Sequence, residues 1–235
     1  MGKNVVIGGY YTGSTDWQRG FKEWSKDYTE LEPLIDSIKP GIELAILHDC
    51  FEGVTDSEYV KHIRLPVMHR AGAWVRWIRA HAYLLMNQDI EYAFMVDSTD
   101  VQMVKDPFPF LEKGKLYLGD ETKLVDNDWM RAFHGNNETD LFIKKYGTRP
   151  LFNCGICGGD RDILIEFTGK MVDKYYQFEG DNRHGIASNL NSDMGIFNML
   201  AHQEYAGRVE HGPHINTKFG HWEPYETATA WWKHK

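Results

Sequence analysis

Three observations predict an α/β fold with a mostly parallel central sheet flanked by helices. Short apolar runs alternate along the chain with stretches of helical periodicity. Two of those runs, Ile42 to Leu47 and Tyr92 to Val96, are apolar almost throughout, as strands covered on both faces must be. Polar residues able to do chemistry, Tyr10, Asp49 and Asp97, stand where such runs end. In parallel sheets, ligands sit at the carboxyl ends of the strands.

The elements follow in order. Val5 to Tyr10 reads as the first strand, and the polar turn from Tyr11 to Asp16 caps an expected helix at Trp17 to Lys26. A second helical stretch, Leu31 to Ile38, tolerates Pro33 in its first turn and stops at Pro40-Gly41. Strands are expected at Ile42 to Leu47 and Val60 to Leu65. The clearest helix spans residues 71 to 86, where Trp74, Trp77, Ile78, His81, Leu84 and Leu85 recur at helical spacing and leave Arg76 and Arg79 off the centre of the stripe. Tyr92 to Val96 then runs into Asp97. Short strands follow at Val101 to Val104 and at Leu116 to Leu118, the latter ending in Gly119-Asp120-Glu121-Thr122. Residues 123 to 150 read as polar loop with a short helix near Asp140 to Tyr146. Phe152 to Gly158 is the next strand, Arg161 to Tyr176 and Asp193 to His202 the last helices, and Arg208 to Glu210 the last strand. For the tail, Trp231 to Lys235, packing, stacking on a ligand and disorder are all open.

The chain has 235 residues, 42% of them hydrophobic, enough for one substantial core, and shows no repeats or linkers. A formal net charge of −8 disfavours bulk nucleic acid and anionic membrane. No tract approaches the roughly 18 apolar residues of a membrane span, and Met1 to Ile7 has no secretory pattern, so a cytoplasmic protein is expected. Three cysteines are too few for a disulfide framework. Cys154-Gly155-Ile156-Cys157 has CxxC spacing, but no second pair exists to complete a zinc site, and two small residues in a buried strand is the simpler reading.

The segment Asp97-Ser98-Thr99-Asp100 carries the chemistry. An apolar strand delivering two carboxylates into a turn places hard oxygen ligands at a strand end, where Mn²⁺ or Mg²⁺ can sit and neutralise a diphosphate. Asp is also a favoured turn residue, so the pair alone is weak evidence. Val96 to Val101 followed by Lys105-Asp106-Pro107-Phe108 resembles the metal-binding segment of GT-A glycosyltransferases, with D-x-x-D spacing in place of DxD. Three further stretches resemble that superfamily in the expected order. They are Phe152-Asn153-Cys154-Gly155, similar to the strand lining the donor-sugar pocket; Asp193-Met194-Gly195-Ile196-Phe197-Asn198, similar to a helix start with Asp193 in the acidic place; and His211 to Phe219, similar to the late His-to-Lys segment of glycogenin-like enzymes.

The resemblance implies a single Rossmann-like GT-A domain over residues 1–235, with 1–100 the nucleotide-binding half and 101–235 the acceptor and donor-sugar half. It implies a metal-dependent transfer of a sugar from a nucleotide-diphosphate sugar, UDP-linked foremost, with retention the nearer likeness. Asp97, Asp100 and one of His211 or His214 would hold the metal, and Lys218 would meet the diphosphate. Asn153 and Asp193 would contact the donor sugar, Asp193 serving as the base if the enzyme inverts. Tyr10, Tyr11, Thr12, Asp49 and Ser98 would face the nucleotide, and Arg76 or Arg79 its phosphates. Each has an ordinary alternative: aromatic packing, a turn Asp, a solvated helix face. The acceptor is open among glycan, protein, small molecule and modified DNA base. The rivals are a haloacid-dehalogenase-like phosphohydrolase, whose Asp pair has other spacing and lies nearer the start of its domain, and a non-catalytic sugar- or nucleotide-binding module.

Overall fold

A computed structural model describes residues 2–13, 23–70, 72–135, 137–186, 189–190, 192–218 and 229–234. Seven strands make one sheet: β1 (Lys3–Tyr10), β2 (Glu43–His48), β3 (Val60–Arg64), β4 (Ile90–Asp97), β6 (Leu116–Leu124), β7 (Pro150–Asp160) and β8 (Val209–His211). Their order is β3-β2-β1-β4-β7-β6-β8. The run from β3 to β4 is parallel, β7 is antiparallel to both neighbours, and β8 pairs parallel with β6. The sheet joins strands from both halves of the chain, so the halves share one framework.

Alternation along β1 shows why both faces are buried. Val5 and Ile7 point into a core with Trp74 and Trp77 of α2 (Gly72–Met86), Phe167 of α5 (Arg161–Arg183) and Phe197 of α6 (Asp193–Gln203). Val6 and Tyr10 point the other way, against Leu34 of α1 (Glu32–Ser37), Phe94 and Trp232. That second face is closed by a small sheet in the order β5-β10-β9, comprising β5 (Val101–Met103), β10 (Trp232–His234) and β9 (Asn216–Lys218). The tail is therefore a packed strand, with Trp232 fully buried.

Several expectations are corrected. The helix expected at Trp17 to Lys26 falls largely outside the described residues, and 23–26, which are described, are irregular. The stretch from Leu31 divides into a 3-10 turn, Tyr28–Leu31, and α1, with Pro33 in its first turn. On α2 the buried positions are Trp74, Val75, Trp77, Ala80 and Leu84, while Leu85 is exposed, so the apolar stripe is rotated from the one expected. The strand expected to stop at Leu118 continues as β6 to Leu124, because β7 remains beside it as far as Pro150. Residues 123 to 150 hold two helices, α3 (Asp128–Phe133) and α4 (Asn137–Tyr146). The first was not expected: its cap is Asn127, whose side chain accepts from Met130 N. Among the described residues no helix is long and apolar enough to cross a membrane.

Candidate active site

Strand order reverses at β1, whose neighbours β2 and β4 lie on opposite sides. A crevice opens beyond the carboxyl ends of β1 and β4, the position where open α/β sheets bind ligands. A cavity of about 490 Å³ occupies it, within the range of small-molecule sites. Tyr10, Tyr11 and Trp24 line one end, Asp97 to Asp100 with His234 the floor, and Asn153, Cys154, Asp193, Trp129 and His134 the remaining wall.

The floor is built by three elements. β4 ends in Asp97; Ser98 donates its hydroxyl to Gly9 O of β1 at 2.7 Å and fixes the turn; Asp100 follows. β10 lies antiparallel on β5 with His234 opposite Val101, which brings His234 Nε2 to 3.9 Å from both Asp97 Oδ2 and Asp100 Oδ1. The three donor atoms lie within 4.8 Å of one another. An octahedral ion with bonds of about 2.1 Å spaces its ligand atoms by about 3.0 Å on an edge and about 4.2 Å across. The cluster could thus hold a metal ion. Room for it comes from Gly155, where a Cβ would stand 2.8 Å from His234 Nε2 and 2.9 Å from Asp97 Oδ2.

Gly155 is placed by a bulge. Opposite β6 the register jumps from Leu118↔Cys157 to Gly119↔Asn153, so β7 carries extra residues there. Asn153 secures the distortion: its Oδ1 accepts from Gly155 N at 3.1 Å and its Nδ2 donates to Asp120 O at 3.1 Å. Asn153 lines the cavity, yet its amide is committed to the backbone, and its observed work is to shape β7.

Arg76, at the start of α2, is the hub of the wall. It donates to Asp97 Oδ1, to Cys154 O at 2.8 Å, and stands 3.8 Å from Asp193 Oδ2. Burial alone would weaken its charge, but the carboxylates, Asp97 foremost, more than offset this and hold its pKa above the ordinary value. Burial also pushes the Asp97 carboxyl up, with Asp100 adding to it and Arg76 and His234 opposing. Among the described residues that line the cavity are four carboxylates, Asp97, Asp100, Glu121 and Asp193, and two cations, Arg76 and Lys123. A divalent cation at the floor would offset that excess, which is a second reason the donor set suits one. Asp193 opens α6 and is itself buried, with His134 Nδ1 at 4.0 Å from its Oδ1.

The remaining expected residues are distributed as follows. Tyr10 lines the cavity, but its hydroxyl donates to Ser25 O and Glu30 Oε2 and its ring packs on Phe51. Asp49 does not reach the cavity; its carboxylate accepts from Thr12 N, Thr12 Oγ1 and Gly13 N, so it and Thr12 anchor the loop after β1. Arg79 turns away and donates to Pro66 O at 2.8 Å. Neither expected histidine reaches the Asp pair: the His211 ring is bonded to Asp120, and His214 packs edge-on against Trp231. His234 takes that place. Lys218 lies in register with His234 on β9, and its side chain is outside the described residues. The three cysteines are free; burial, then Asp193, pushes the Cys154 thiol well up, so it is a poor nucleophile. His234, Trp129 and His134 were missed in the sequence. The one available signal was the i, i+2 pair Trp232 and His234, which a strand places on one face.

The chain matches no known protein family, and no curated protein is significantly similar to it.

Proposed function

We propose that the protein is a metal-dependent glycosyltransferase that moves a sugar from a nucleotide-diphosphate sugar, UDP-linked foremost, to an acceptor. The observation that carries the reading is the Asp97, Asp100 and His234 cluster on the floor of a cavity at the switch point between β1 and β4. The resemblance of the acidic segment to GT-A enzymes supports it. Asp97, Asp100 and His234 would hold Mn²⁺ or Mg²⁺, which would supply the charge that neutralises a departing diphosphate.

The chain's own residues supply the rest. Arg76 holds Asp97 with one oxygen turned to itself and the other to His234, so the donor set is oriented before any ligand arrives. Its guanidinium also stands 3.8 Å from Asp193 Oδ2, so one cation lies between the two carboxylates. Tyr10, Tyr11 and Trp24 form an aromatic end suited to a nucleobase. Asp193, on the cavity wall, would then serve as base in an inverting reaction or as electrostatic support in a retaining one.

The test is release of nucleoside diphosphate from a panel of nucleotide sugars, with and without Mn²⁺, because slow donor hydrolysis needs no acceptor. One donor should be turned over in a Mn²⁺-dependent way, and Asp97→Asn and His234→Ala should each abolish it, whereas His211→Ala and His214→Ala should not. If no donor is hydrolysed and none raises the melting temperature with Mn²⁺ present, the reading gives way to a phosphohydrolase or a binding module.

A further inference from the structure

Trp129 is the largest side chain on the cavity wall away from the nucleotide end, and it is only partly buried. Its neighbours hold it in place. Its ring packs on the ring of His134 with centroids 4.4 Å apart. His134 is fully buried, and its carbonyl accepts from Thr139 Oγ1 at 2.7 Å and from Ser192 Oγ at 2.6 Å. That joint ties the end of α3 to α4 and to the residue preceding Asp193. Gly195 makes room for it, since a Cβ there would stand 2.7 Å from Ser192 Oγ and 2.9 Å from His134 O. The indole also packs against the main core, so its position is fixed while part of it stays accessible.

The contacts also give an order along the wall. Asp97 meets Arg76, Arg76 reaches Asp193, Asp193 lies 4.0 Å from His134, and Trp129 stands on His134. The indole is therefore joined to Asp193 through the ring of His134, and both line the same cavity.

We propose that Trp129 is the platform of the acceptor subsite and that the acceptor is a carbohydrate, one pyranose face lying on the indole. This rests on the transferase reading and names its second substrate. A sugar has an apolar face for the ring and hydroxyls around its edge, and Glu121 and Lys123, both on the cavity wall, are placed on the strand leading to α3 to meet such hydroxyls. The net charge of −8 opposes an extended polyanion such as a nucleic acid as the acceptor.

The test needs no donor turnover. Saturation-transfer NMR would be run with Mn²⁺ and UDP on a panel of methyl α- and β-glucosides, galactosides and mannosides, with lactose and maltose, and in parallel on a serine- and tyrosine-containing peptide and a short single-stranded DNA. At least one saccharide should show strong transfer to the protons of one ring face, with binding about tenfold or more weaker in Trp129→Ala and in Trp129→Leu. The leucine variant keeps apolar bulk on His134 and guards against loss of folding. Trp24→Ala should leave the saccharide signal in place. Acceptor-free nucleoside diphosphate release by the wild type, measured in parallel, reads the transferase reading separately: release without any saccharide signal overturns this proposal alone. Absence of any saccharide signal in the wild type overturns the proposal. So does a saccharide signal that survives Trp129→Leu, or binding of only the peptide or the DNA.

Discussion

At the scale of single residues, the site depends on close approaches that a Cβ or a charge change would break. Gly155 is the clearest case, because its missing side chain is what lets His234 Nε2 and Asp97 Oδ2 converge. Gly155→Ala should push the imidazole away from the carboxylates and weaken Mn²⁺ binding about tenfold or more, in line with the usual effect of disturbing the groups around a metal's ligands. Titration calorimetry with Mn²⁺ would measure it, and an unchanged affinity would show that His234 is not a ligand. Arg76 is as exacting for another reason. Its fork serves Asp97, Cys154 O and Asp193 at once, which a lysine's single ammonium cannot reproduce.

Histidines add a pH dependence whose sign follows from burial. His48, His81 and His202 are each held below their ordinary value of 6.5, burial being the main cause. The unfolded chain then binds protons that the folded chain refuses. Stability is full above about pH 6.5 and falls as pH drops below it toward the folded values, by up to three protons' worth of slope. His211 acts oppositely: its hydrogen bond to Asp120 raises it, so its contribution is present below about 6.5 and is lost as pH rises through its folded value. Urea midpoints should therefore decline from pH 6.5 to 5, and His81→Gln should flatten the decline, by at most one proton's worth of slope. A flat profile over that window would contradict the burial of these rings.

At the scale of elements, junctions do most to place the chemistry. Asp160 ends β7 and caps α5, its Oδ1 accepting from Asp162 N and Ile163 N while its Oδ2 accepts from Gly114 N. One side chain thus fixes a strand end, a helix start and the turn before β6. Asp160→Ala should lower stability by about 1 to 2 kcal/mol in urea denaturation. A loss of only a few tenths would mean that water replaces all three bonds. The bulge in β7 works at the same scale, since it detaches Cys154 and Gly155 from the β6 register and offers the Cys154 carbonyl to Arg76.

At the scale of the whole molecule, the cavity is a product of topology. Parallel pairing of β1 with both β2 and β4 brings three strand ends to one edge, and connection of β7 and β6 beyond β4 adds a second wall from the other half of the chain. The small sheet then lays the last strand across the floor, with Trp232 packed on Phe94 at a ring separation of 5.1 Å and His234 two residues on. Burial of Trp232 and delivery of His234 depend on the same strand, so the three candidate ligands come together only where the core is closed.

The α/β class, most strands and the long helices were legible because they rest on local periodicity: Val5 to Tyr10, Ile42 to Leu47, residues 71 to 86. Asp97, Asp100, Asp193 and Arg76 were legible as candidates, since acidic and basic residues at strand ends and helix starts advertise themselves without partners. Beyond the pairing of Asp97 with Asp100, which of them meet was not. Asp49 and Asp97 end adjacent-looking apolar runs alike, yet one anchors a loop and the other faces the cavity. His211 and His234 are indistinguishable as side chains, and the choice between them was made by the pairing of β10 with β5. Local pattern determines what each segment can become; long-range pairing, which depends on contacts between residues far apart in the chain, decides which side chains share a site.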